Sequence, residues 1–287
     1  MRWGGLRRSN NVEDRRGMRA GGRGVALSGG GILLLIVFAL LTGTDPLALL
    51  EEAGGPSASV EQGPGERGQM GAPSDQLGGF AAAVLGSTED AWTSLFEARG
   101  ARYQPPTLVL FTGAVNSACG FGAAAVGPFY CPLDGKVYLD LSFFDELARR
   151  FGAPGDFAQA YVIAHEVGHH VQNVLGVAEK VRAAQSRASE AQSNALSVRM
   201  ELQADCLAGV WAHHADRTAN LLEPGDLEEG LRAASAIGDD QLQRRSQGYT
   251  VPETWTHGSS DMRVRWLRRG VQSGDIEMCD TFGSETL

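Results

Sequence analysis

Residues 161–172 read YVIAHEVGHHVQ, and His165 and His169 bracket Glu166 at a spacing suited to holding a metal ion. On an α-helix, positions four apart lie one turn above each other, so both imidazoles reach a common point. Two neutral nitrogens suit a borderline-soft cation such as Zn2+. Glu166, beside them, can take a proton from a water at an open coordination position without displacing a ligand. Phe157, Tyr161, Val162, Val171 and Val174 supply an apolar stripe that buries one side of such a helix, and Gly155 with Asp156 is its start signal. A core helix that merely contains histidines is the competing reading, and a third ligand would distinguish the two.

Zinc bound by two histidines needs at least one more protein ligand and one open vertex in a catalytic site. Residues 197–211, SVRMELQADCLAGVW, form a second helical pattern in which Glu201 and Asp205 share a face among Met200, Leu202, Ala204, Leu207, Val210 and Trp211. Carboxylates in so apolar a setting are costly to bury unless something pairs with them. A metal and a ligating histidine are such partners. Glu201 is therefore assigned as the third ligand, and Asp205 as the acceptor of a ligating histidine's free ring N–H; exchange of these two roles is the alternative.

HEVGHHVQ followed by ELQADCLAGVW resembles the neutral zinc metallopeptidase family of bacterial membrane-anchored proteins, within the wider zincin group whose third ligand is a glutamate in an ExxxD motif. The likeness extends to the opening MRWGGLRRSNNVEDRRG, to ACGFGAAAVGPFYCPLDGKVYLDLSFF at 118–144 and to THGSSDMRVRWLRRG at 256–270. It implies a zincin-like metallopeptidase domain, Zn2+ as cofactor and a peptide or protein substrate. Related zincins carry a late histidine that hydrogen-bonds the tetrahedral oxyanion, and the resemblance implies that role for His257. A histidine bracing a turn is the alternative there. Tyr249 is a second choice for the oxyanion, and Arg263 or Arg265 would bind a substrate carboxylate or brace the site. His170 points away from the ligand pair, and His213 and His214 are expected at a helix C-terminus, where they complement the dipole.

Seven arginines stand against Glu13 and Asp14 before residue 24, and no charged residue follows until after Thr44, in a stretch centred on ILLLIVFALL. At helical rise that stretch covers about 31 Å, close to a bilayer core. The division expected is a basic cytoplasmic leader at 1–23, a transmembrane helix at 24–44, a flexible Gly/Pro/Ser/Glu-rich linker at 45–78 and the metallopeptidase domain at 79–287. The domain would then lie in the periplasm or outside the cell, with lipid as the partner of residues 24–44 and of the leader; a cleaved signal peptide is the competing reading. Beyond residue 23 stand 18 of the 25 basic and 32 of the 34 acidic residues, an excess that argues against nucleic acid as a partner.

All four cysteines lie in the outer part, and no CxxC spacing marks them as zinc ligands. In an oxidising compartment Cys119 with Cys131 and Cys206 with Cys279 are the favoured disulfides among three pairings. TLVLFTG at 107–113 and KVYLDLSFF at 136–144 read as strands, with helical patterns at 145–151, 156–175, 178–218, 224–246 and 259–270 after an earlier one near Gly79. Strands first and helices later indicate an α+β domain, mostly helical with a small sheet. Val137–Leu141 is the candidate edge strand for an extended peptide, with a fully paired core strand as the alternative. The function expected is zinc-dependent peptide hydrolysis; a membrane-tethered zinc or peptide-binding protein of the cell envelope without catalysis is the alternative.

Overall fold

TLVLF and KVYLD become the central strands of a sheet because each is apolar on both faces and both faces are covered. The computed structural model describes residues 1–18, 68–123 and 127–287. Its elements run β1 (Val12–Asp14), β2 (Gln69–Met70), α1 (Gln76–Glu97), β3 (Thr107–Phe111), β4 (Ala114–Ser117), β5 (Gly120–Ala123), β6 (Phe129–Cys131) and β7 (Lys136–Asp140). Seven further helices follow: α2 (Phe143–Arg149), α3 (Asp156–Val174), α4 (Val177–Gln185), α5 (Glu190–Ala219), α6 (Asp226–Ala236), α7 (Asp239–Gln247) and α8 (Ser260–Ser273). The expected α+β class, mostly helical with a small sheet, is what is found.

Five strands lie in the order β2-β1-β3-β7-β6, with β1, β3 and β7 parallel and the outer two antiparallel to their neighbours; β4 and β5 form a separate hairpin. Leu108, Leu110, Val137 and Leu139 face the helices, while Val109, Phe111 and Tyr138 pack beneath the hairpin with Val115 and Cys131. The strand at Val137–Leu141 is therefore interior, paired on both sides, and the expectation that it forms the open edge is corrected. That position belongs to β6, too short and too rich in flanking Gly and Pro to read as a strand from periodicity.

The N-terminal segment is also corrected. Met1–Gly17 folds with Gly68–Leu287 as one unit, so the domain does not begin at Gly79 and residues 1–17 are not a separate leader. β1 pairs in parallel with β3, Ser9 N–H donates to Ala82 O at 2.9 Å, and the Met1 amino group sits 2.8 Å from Asp156. Three of the arginines expected to meet lipid pair with acids: Arg7 with Glu89 and Asp90, Arg16 with Asp14 and Asp75, and Arg15 with Glu13. The expected span at 24–44 lies outside the described residues, and among the described residues no helix is long and apolar enough to cross a membrane.

The long helical patterns are interrupted where local chemistry offers a better start. The run expected at 178–218 divides at Ser189, whose side chain accepts from Gln192 N–H while the Gln192 side chain accepts from Ser189 N–H, forming a capping box. The run at 224–246 divides before Asp239, because Gly238 is pressed against Ser260 and its backbone is extended. Both expected disulfides are present, Cys119–Cys131 tying the hairpin to β6 and Cys206–Cys279 tying the C-terminal segment to α5.

One ion cluster joins the N-terminal strand to the sheet. Burial alone would raise the Glu13 carboxyl, but Arg15, Lys136 at 2.9 Å and the Gly68 N–H outweigh it and hold the pKa at about 2, down from the usual 4.5. A depressed carboxylate contributes its stability above the unfolded value and loses it as pH falls toward the folded one. Glu13→Gln is thus expected to lose about 2 kcal/mol at pH 7. Urea unfolding at a series of pH values checks this: the gap from wild type should close between about pH 4.5 and 2, and a gap independent of pH would refute it.

Candidate metal centre

Two helices must come unusually close for three side chains to share one point. Gly168 permits it: a Cβ there would lie 2.9 Å from the Ala204 carbonyl of α5, so any side chain would push α3 and α5 apart. At this crossing Glu201 Oε2 lies 3.1 Å from His165 Nε2, and Glu201 Oε1 lies 3.4 Å from His169 Nε2. The ligand atoms of His165, His169 and Glu201 all fall within 4.8 Å of one another. Donors about 2.1 Å from a tetrahedral zinc are about 3.4 Å apart, so the set fits that ion.

Each imidazole is aimed from behind. His165 Nδ1–H donates to Asp205 at 2.9 Å, and Asp205 also accepts from Tyr161 Oη at 2.5 Å and from Arg263 Nε and Nη2 at 2.8 and 3.0 Å. His169 Nδ1 meets Gln172 Oε1 at 2.9 Å, and the Gln172 amide in turn donates to Met200 O and Gln203 Oε1. Both rings therefore turn Nε2 toward Glu201. Asp205 and Arg263 are fully buried, which is tolerable because every charge there has a partner. Of the two roles left open for the acids, the geometry places Glu201 at the shared point and Asp205 behind His165.

The electrostatics follow from burial and these pairings. Burial would lower His165, but Asp205 and Glu201 outweigh it and raise the ring to about 10. His169 is raised against its own burial by Glu201. Partial burial would raise Glu201, but His169 and His165 hold it well below the usual carboxylate range. This field draws positive charge to the Nε2 atoms and would equally favour a divalent cation there. Glu166 differs, since burial raises it more than the imidazoles lower it.

The three donors and Glu166 line a cleft of about 660 Å3, walled by β6 at Phe129 and Tyr130 and by apolar side chains that include Phe143, Phe151 and Met200. His257 reaches the same cleft with its side chain half exposed, and its Nδ1 is 3.2 Å from Asp239 Oδ1. The other Asp239 oxygen accepts the backbone N–H groups of Thr256, His257 and Gly258 at 2.8, 2.7 and 3.0 Å, which fixes the loop. Burial lowers His257, but Asp239 and Glu201 raise it above its ordinary value. Tyr249 is exposed and does not line the cleft, so it is withdrawn as an oxyanion donor. Arg265 is likewise exposed, whereas Arg263 is the brace. His213 and His214 bond the carbonyls of Val271 and Gly274 at the end of α8, a neighbouring helix rather than their own.

The family described as "Putative neutral zinc metallopeptidase" matches residues 1–282. The chain belongs to this family. It is 50% identical over 288 residues to the uncharacterized protein YpfJ of Escherichia coli strain K12, covering 99% of each chain. It is 47% identical over 195 residues to the uncharacterized protein Rv2575 of Mycobacterium tuberculosis strain H37Rv, covering 64% of this chain and 65% of that one. No solved structure matches. The membership spans the leader-like N-terminus as well as the metal motifs, in keeping with one folded unit that contains both.

The residues that sequence reasoning missed in this family member are Tyr161, Gln172 and Asp239. Tyr161 stands four before His165 and Gln172 three after His169, so helical spacing could have found both. Asp239 carries no such signal, because its partners lie seventeen to nineteen residues away across a loop.

Proposed function

We propose that this zinc metallopeptidase family member hydrolyses peptide bonds in extended polypeptides bound along the cleft. The observation that carries it is the trio His165, His169 and Glu201 at tetrahedral-edge distances, with Glu166 beside them in an open cleft. Bound at those donors, zinc would polarise the scissile carbonyl and acidify an attacking water. Glu166 accepts the proton of that water and passes it to the leaving amine. His257 faces Asp239 through Nδ1, and Asp239 and Glu201 raise its pKa; in its protonated form it would donate from Nε2 to the oxyanion that develops in the transition state. β6, as the sheet edge lining the cleft, offers main-chain groups to an extended peptide, and the apolar walls favour apolar side chains.

The test is digestion of a peptide library by the full chain after chelation and stepwise return of zinc. Cleavage should vanish with the metal and reappear in proportion to zinc, saturating near one ion per chain. Peptide retained without any cleavage at full zinc would overturn the peptidase reading and favour the binding protein.

A further inference from the structure

His170 follows the ligand His169 directly, and its spacing points it away from the metal. It is nevertheless buried, with both ring nitrogens engaged. Nε2 lies 2.7 Å from the Gln104 carbonyl, which can only accept, so Nε2 carries the hydrogen and Nδ1 is left as an acceptor. Nδ1 then accepts a hydrogen bond from the Tyr130 hydroxyl at 3.1 Å, and the Tyr130 oxygen accepts from Asn173 Nδ2 at 3.1 Å. The His170 ring packs edge-on against Tyr103 and Tyr130, with ring centroids 5.7 and 5.5 Å apart. Tyr130 belongs to β6, the strand that lines the cleft, while Gln104 leads into β3. Glu166, His170 and Asn173 are spaced four and three apart, so they share one face of α3.

We infer that Tyr130, His170 and Asn173 form a latch that holds β6 at a set height above Glu166 and thereby fixes how a bound peptide meets the general base. These are positioning residues: they act through the strand and not on reacting atoms. The role in substrate placement rests on the peptidase reading; the latch itself does not. Asn at 170 can replace Nδ1 with its amide oxygen and keep the Tyr130 contact while losing Gln104, whereas Gln at 170 reaches toward Gln104 and loses Tyr130. A latch distinguishes the two, and a histidine that only fills space does not.

The experiment compares wild type, Tyr130→Phe, His170→Gln and His170→Asn by amide hydrogen exchange at Phe129–Cys131 and by kcat and KM on an octapeptide and a dipeptide substrate. Tyr130→Phe and His170→Gln should exchange about tenfold faster at β6 and lose about tenfold more kcat/KM on the octapeptide than on the dipeptide, the loss appearing in KM. His170→Asn should stay near wild type in both. Equal effects of His170→Asn and His170→Gln, or unchanged exchange in every variant, would overturn the latch. If wild type cleaves neither substrate, the peptidase reading fails, and the exchange pattern alone still decides the latch.

Discussion

Glu166→Gln should keep its zinc and lose between about 10² and 10⁴-fold in kcat on any peptide the wild type cleaves. The two side chains are nearly isosteric, so the ligand trio and the cleft wall are undisturbed, but an amide cannot accept a proton from the attacking water. Glu166 is not among the three donors that meet at 3.1 and 3.4 Å, which is why metal content should not change. The pH profile carries a second signature. Burial raises the Glu166 carboxyl more than His169 and His165 lower it, so the acidic limb of kcat/KM should lie above the ordinary carboxylate range. Metal analysis together with single-turnover cleavage checks both parts. A Glu166→Gln protein as active as wild type would eliminate the proton-transfer role, and one without zinc would leave the role unmeasured but show that Glu166 helps to build the site.

The second large effect is expected at Arg263. Its guanidinium donates to Asp205 twice, at 2.8 and 3.0 Å, and both side chains are buried. Arg263→Met preserves much of the volume but leaves Asp205 charged and short of partners, which should destabilise the fold by about 3–5 kcal/mol. Because Asp205 also orients His165, zinc affinity should fall about 10–100-fold. Pairing Arg263→Met with Asp205→Asn should recover a good part of the stability, since the stranded charge is gone, without recovering the affinity, since the anionic support of His165 is gone too. Urea unfolding and zinc competition titrations separate the two quantities. A double variant no more stable than the single one would show that lost packing, not the uncompensated carboxylate, governs the effect.

The helix crossing behind this network depends on a glycine. α8 lies against α5 at Gly270, where a Cβ would run into the Cys206 carbonyl, one residue from Asp205. Arg263 is carried on the same helix, so its reach to Asp205 depends on that close approach.

Much of the centre was legible before folding because it lies within one or two helices. The spacing of His165, Glu166 and His169 and that of Glu201 and Asp205 are consequences of helical periodicity alone, and an apolar setting for two acids implied partners for them. The small sheet, the helical bulk and both disulfides were likewise anticipated from local pattern and cysteine placement. What local pattern could not convey was anything decided by contact across the chain. Arginines near an apolar run read as a cytoplasmic flank, yet Arg7, Arg15 and Arg16 answer acids of the domain, and β1 pairs with β3 almost a hundred residues later. Which of two apolar strands is the sheet edge depends on a neighbour of three residues, too short to leave a period. Asp239 and His170 acquire their roles only when a loop and a strand are brought against them. Periodicity reports the face a residue occupies, while hydrogen-bond and charge pairing depend on what the fold places opposite that face.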